Sequence, residues 1–132
     1  MFYTNEWWYK TASKSLCDVP DAEREESLKD AAVIFFHSEA DDESKKESVV
    51  EKFVKNTKWI AGKFKTKNVV LHSFNHLSGS KSSPEFAKAM LGDVVERLER
   101  TGYRVMVTPF GYFNEFRMHV AGDSLAKVYK EF

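Results

Sequence analysis

Two short stretches hold most of the residue types that could do chemistry. The first, Asn68-Val69-Val70-Leu71-His72-Ser73-Phe74-Asn75-His76-Leu77-Ser78-Gly79, passes from aliphatic residues into a polar loop with two of the chain's four histidines. An imidazole titrates near neutrality, so His76 in a loop beyond a strand suits proton relay. The second is Pro109-Phe110-Gly111-Tyr112, which turns the chain before an alternating segment. Tyr112, Asn114, Phe116, Met118 and Val120 share one face of that segment, and Phe113, Glu115, Arg117 and His119 the other. Asn114 is the odd polar group on the apolar face. His72 and His76 are four apart, but a strand-to-loop segment does not bring them together as a helix would, so no metal pair is expected. The acidic run Glu39-Ala40-Asp41-Asp42-Glu43 lacks the glycine of a calcium loop and reads as a solvated loop. No phosphate loop, dinucleotide fingerprint or nucleophile elbow is present, and no metal or cofactor is expected.

The elements that must position these loops are readable from periodicity. Met1 to Ala12, with Phe2, Tyr3, Trp7, Trp8 and Tyr9, reads as a strand. Ser13 to Lys29, with Pro20 and a dense charge run, reads as a solvated connection. Ala31 to His37 is a continuous apolar run, the pattern of a strand covered on both faces. Lys46 to Phe64 has helical spacing, and Asn68 to His72 reads as the central strand. A helix follows, with Ser82 three before Glu85 as in a capping box and Pro84 in the first turn; it runs to about Arg100 and closes at Thr101-Gly102. Tyr103 to Thr108 and Tyr112 to Val120 are strands, and Leu125 to Phe132 a short closing helix. The order predicts one α/β domain over residues 1–132, a mixed sheet with packed helices.

Composition narrows the function classes. Twenty basic residues face twenty acidic ones, so the chain lacks the basic field of a non-specific nucleic-acid coat protein. It remains compatible with contact to one end of a nucleic acid. Cys17 alone cannot form an internal disulfide, which fits a reduced, cytosolic setting. No apolar run approaches membrane-spanning length, and the N-terminus lacks the pattern of a signal peptide; no membrane partner is expected.

His72-Ser73-Phe74-Asn75-His76-Leu77-Ser78, then Gly102-Tyr103, then Pro109-Phe110-Gly111-Tyr112 with Phe116, and finally Gly122-x-x-Leu125-Ala126 resemble the archaeal threonyl-tRNA synthetase editing domain. That family is similar in fold to the D-aminoacyl-tRNA deacylases, and its pattern is approximately Pro-Phe-Ala-His-Leu-Ser, Pro-Phe-Gly-Tyr-Tyr-Lys and Gly-His-Pro-Leu-Ala-Glu. The match runs from about Ala31 to the C-terminus. The resemblance implies hydrolysis of serine wrongly attached to threonine tRNA, with the aminoacylated 3′ end in a cleft between the motif loops. It assigns His76 and Asn114 as catalytic, and Phe74, Ser78, Pro109, Phe110, Gly111, Tyr112, Phe113 and Lys127 as substrate-binding. His76 and Asn114 are expected to face each other across the ends of neighbouring strands.

Three positions depart from the family pattern. Phe113-Asn114 replaces Tyr-Lys, and Lys127 replaces Glu, which removes a hydroxyl and a cation and reverses a charge. Two readings follow: a trans-acting aminoacyl-tRNA deacylase with an altered site, or a non-catalytic relative that binds an aminoacyl-nucleotide, a tRNA end or a protein. With no synthetase segment after Phe132, the sequence reads as a stand-alone module. The aromatic density of the first strand, together with the pairing habit of the resembled fold, predicts a homodimer.

Overall fold

Aromatic side chains at the N-terminus form β1 (Phe2–Lys14), and the computed structural model, which describes residues 1–132, places it inside a five-stranded sheet. The other strands are β2 (Glu25–Phe36), β3 (Asn68–Ser73), β4 (Arg104–Val107) and β5 (Tyr112–Val120), in the spatial order β4-β3-β2-β1-β5. β1 runs antiparallel to both β2 and β5, while β2, β3 and β4 are mutually parallel neighbours. The two parallel steps cross over through α1 (Lys46–Lys63) and α2 (Pro84–Arg100). The chain is a single α/β domain with a mixed sheet, as the pattern of elements predicts.

Both helices cover one face. Ala32, Ile34 and Phe36 of β2 with Val69 and Leu71 of β3 pack under Val50, Phe53 and Ile60 of α1 and Leu91, Val94 and Leu98 of α2. The opposite face carries Ala31, Val33 and Val70 against Trp7, Tyr9 and Leu28. Both faces of β2 are therefore buried, which explains its unbroken apolar run.

What covers the second face is the sheet itself. β4 and β5 are its two edges, yet only Thr108 to Gly111 separate them in sequence. Such a link spans at most roughly 17 Å, too short to join the edges of a flat five-stranded sheet. The sheet must coil, and ring contacts show that it does. Phe116 pairs with Tyr9, which pairs with Glu26, while His72 pairs with Phe35. A flat sheet would hold those levels about 30 Å apart; the Phe116 and His72 ring centroids are 5.2 Å apart. Register shifts in the β1–β5 pairing at Thr4/Glu6 and Thr11/Ser13 mark where the ribbon bends. Trp7, Phe35, Phe74 and Phe116 gather around His72, whose Nδ1 shares a 2.9 Å hydrogen bond with Thr108 Oγ1.

Several expectations are corrected. β1 extends to Lys14 and β2 begins at Glu25, so the connection is only Ser15 to Arg24. The charged start of β2 is tolerated because its side chains have partners: Trp8 Nε1 donates to Glu25 at 2.8 Å and the Tyr9 hydroxyl to Glu26 at 2.5 Å. The N-cap of α2 is Ser83, which accepts from Phe86 N at 3.2 Å, because Pro84 occupies the first helical position. The acidic run forms a 3-10 turn, Ala40–Lys45, and Asp42 is buried there, accepting from Glu39 N at 2.8 Å. The closing helix is absent: only the turn Ser124–Ala126 forms, and the tail then lies alongside the start of β1. Finally, β1 is an inner strand and not an edge: it hides Trp7 and Tyr9 completely within one chain, while Phe2, Tyr3 and Trp8 stay half-buried.

Gly111 makes the closing link possible. Its φ is +80°, and a Cβ there would lie 2.6 Å from Val19 Cγ1. Its carbonyl accepts from Ser15 N and Leu16 N, and the Tyr112 hydroxyl donates to Pro20 O at 2.7 Å. Gly111→Ala is expected to destabilise the fold by about 1–3 kcal/mol, and Val19→Ala to relieve the clash but not the backbone cost, as read by urea unfolding. Burial holds the His72 imidazole well below its ordinary 6.5, at about 4. The unfolded chain then binds more protons between those values, so stability is full above about pH 6.5 and falls as pH drops toward 4, by up to about 3 kcal/mol. Unfolding free energies measured from pH 7 to 4 should show this slope, and His72→Phe should flatten it.

Candidate functional site

The loop after β3 is built from the ladder outward. Phe74 N donates to Phe36 O at 2.8 Å, extending the β2–β3 pairing one residue before the 3-10 turn Asn75–Leu77. Ser78 Oγ then donates to Glu39 Oε1 at 2.6 Å and accepts from Ser80 N at 3.1 Å. The His37 ring nitrogen Nε2 lies 2.5 Å from Ser80 O, and Ser82 N donates to Ser38 O at 3.0 Å. The loops leaving the carboxyl ends of two adjacent parallel strands are thus laced together, at the place where α/β sheets commonly bind ligands.

These loops form the mouth of a cavity of about 700 Å³. Phe74, Leu77 and Ser78 line it from one side and Glu39 and Asp42 from another. Its floor is apolar, with Ile34 and Phe36 from β2, Val49 and Phe53 from α1, and Met90 from α2. The third wall is the tail from Lys127 to Phe132, set by a bridge between Lys127 and Phe2 and by Val128 N donating to Met1 O at 2.9 Å. Residues from three distant stretches therefore meet here: Phe74 and Ser78, Glu39, and Lys127.

The other expected site residues lie elsewhere. His76 is exposed, its ring 5.1 Å from that of Phe74, so it stands beside the mouth and not within it. Asn114 does not face His76 across neighbouring strands: β3 borders β2 and β4, and β5 borders only β1. The Asn114 amide donates weakly to Tyr112 O at 3.4 Å, while its Oδ1 is buried with no partner. Strand alternation sends Phe113 to the opposite side, where it is 59% exposed, so these two neighbours do not line one cleft in a single chain. The Tyr112 hydroxyl is occupied, accepting from Ala22 N at 2.8 Å and donating to Pro20 O, which makes it a clamp on the β1–β2 connection. Pro109 and Phe110 are half-buried in the edge-closing link.

Sequence reading missed His37 and Glu39. The available signal was their position just past the end of β2, the parallel neighbour of the strand that feeds the His76 loop. No group of three or more His, Cys, Asp or Glu side chains could hold a metal ion, and no helix is long and apolar enough to cross a membrane.

Comparison with known proteins matches residues 1–132 to the model of the archaea-specific editing domain of threonyl-tRNA synthetase, a longer match than the motifs alone indicate. The chain is 31% identical over 123 residues to the threonine–tRNA ligase of Thermococcus onnurineus, covering 91% of this chain and 20% of that protein. It is 33% identical over 110 residues to the Pyrococcus horikoshii ligase, covering 83% and 18%. To the Methanobrevibacter smithii ligase it is 32% identical over 111 residues, covering 84% and 18%. The chain thus spans about a fifth of the length of these relatives. The solved structure of the c-Myc DNA Unwinding Element Binding Protein aligns with a TM-score of 0.49 at 16% identity, covering 86% of this chain and 91% of that one. With its whole length matched by the family model, the chain belongs to the family of the archaea-specific editing domain of threonyl-tRNA synthetase.

Proposed function

We propose that this chain takes the 3′ aminoacyl end of a tRNA at the cavity mouth and hydrolyses a mischarged ester, with seryl-tRNA(Thr) the substrate that the family suggests. The observation carrying this is the convergence of Phe74 and Ser78 with Lys127 on one cavity, from motif segments far apart in sequence. In this reading the Ser78–Glu39 pair receives the α-ammonium group of the aminoacyl ester by a charge-assisted contact. The exposed His76 imidazole relays a proton to or from the attacking water, assisted by the ribose hydroxyl. Lys127 supplies positive charge toward the developing oxyanion or the terminal phosphate. Balanced overall charge fits a grip limited to the tRNA end.

A second reading, binding of the tRNA end without turnover, is favoured by the placement of Asn114 away from the cavity and by Lys127 where the family carries a carboxylate. Single-turnover hydrolysis of seryl- and threonyl-tRNA(Thr) separates the two. Faster loss of serine than of threonine, with His76→Ala slower by about 100-fold, supports the enzyme. Intact tRNA binding with no hydrolysis supports the binding module.

With the deacylase reading go a cytosolic setting and a homodimer. Exposed Phe113 and the unpaired outer edge of β5 are the surface available for pairing. Light scattering is expected to return twice the chain mass, and Phe113→Asp to return the single mass.

A further inference from the structure

The zero net charge of the chain hides an uneven distribution. No carboxylate side chain occurs between Glu51 and Glu85, and Lys52, Lys55, Lys58, Lys63, Lys65 and Lys67 crowd the first half of that interval. The remainder carries fourteen basic residues against twenty acidic ones. The four ion pairs of the molecule, at Lys14, Arg24, Lys46 and Arg97, involve none of the six. Two of them converge on one ring instead: the ammonium groups of Lys58 and Lys67 lie 5.9 and 4.3 Å from the centre of Tyr103. Like charges gathered without counterions make a field that attracts anions.

Helix geometry orders the patch. Residues turn about 100° each along a helix, so Lys52, Lys55, Trp59 and Lys63 share one face of α1, opposite the buried Val50, Val54, Thr57 and Ala61. All four are exposed, and Trp59 is the one large apolar side chain that α1 presents to solvent, at 37%. From Lys52 to Lys63 the row is about 16 Å long. Asn56, one turn beyond Lys52, lines the cavity. The row therefore borders the cavity's outer wall and leads away from its mouth. The nearest acids in sequence and contact are Glu51, just before the row, and Asp30, whose Oδ1 accepts from the Tyr3 hydroxyl at 3.2 Å.

We infer that this face of α1 binds the unpaired 3′ nucleotides of an RNA whose terminal residue sits at the cavity, an inference that rests on the aminoacyl-ester reading. The lysines take the phosphates, and Trp59 stacks on a base. Single-stranded nucleic acid is held by this combination of a cationic track and an aromatic platform, without regard to sequence. One exposed indole is too little apolar surface for a helix that lies on a membrane.

The test uses two hydrolysis-resistant ligands: tRNA(Thr) carrying serine through a 3′ amide, and 3′-serylamino-3′-deoxyadenosine, which lacks the preceding nucleotides. Affinities of the intact chain are measured across a salt series, with thermal melts confirming each variant's fold. Lys52→Gln with Lys63→Gln should lower the slope of log affinity against log salt for the tRNA by about 1.4, at about 0.7 per phosphate released. Trp59→Ala should weaken tRNA binding about 10-fold. Neither change should alter binding of the adenosine analogue. Lys10→Gln with Arg117→Gln, which removes equal charge from β1 and β5, should leave the tRNA slope as it was. If the analogue binds but either α1 variant holds tRNA as the wild type does, the inference is overturned and the aminoacyl-ester reading stands. An equal loss of slope in the β1–β5 pair would also overturn it, because the field would then be general. Binding of neither ligand by the wild type would overturn both.

Discussion

The four residues from Thr108 to Gly111 join the two edges of the sheet, and this closure is the constraint on which the molecule depends. Because so short a link cannot cross a flat sheet, β1 and β5 must fold over the face that no helix covers. Burial of Trp7 and Tyr9, the ring cluster around His72 and the positive φ of Gly111 all follow from it. The arrangement gives a chain with only two helices a second buried face, which a two-layer protein of this size would otherwise leave to solvent or to a partner.

The cavity arises on the other face, where packing is incomplete. The helices cover the middle of the sheet well, and toward the carboxyl end of β2 the packed side chains of Ile34, Phe36, Val49, Phe53 and Met90 form the bottom of an open space. Core packing does not normally leave such room. Here the tail from Lys127 to Phe132 walls it, and the Ser78–Glu39 hydrogen bond fixes its mouth. An apolar interior with a few convergent polar groups at one opening is the general form of a binding site.

Much of the fold was legible because periodicity reports burial directly. The run Ala31 to Phe36 told of two covered faces, and Val94, Val95 and Leu98 of a helix with one apolar stripe. What failed were features set by tertiary contact. Glu25 and Glu26 look like loop residues until Trp8 and Tyr9 offer them donors across the strand pair. Ser82 and Ser83 are equivalent by pattern, and Pro84 decides between them by claiming the first helical position. At the site, Phe74, Ser78 and Lys127 were found by resemblance and do meet, whereas Tyr112 is held by the loop it clamps. Glu39 was hidden because its partner, Ser78, is 39 residues away.

The inner position of β1 also has a temporal side. Its partners lie at both ends of the sequence: β2 follows at once, but β5 begins only at Tyr112. A nascent chain that has reached α2 holds a β1–β2 hairpin with one unsatisfied backbone edge and with Trp7 and Tyr9 uncovered. Long-range pairing of this kind is slow to form, and exposed aromatic edges invite other chains. Release of a well-behaved molecule therefore waits on Tyr112 to Val120, and truncation within that segment would expose an aggregation-prone strand while leaving the helical layer almost complete.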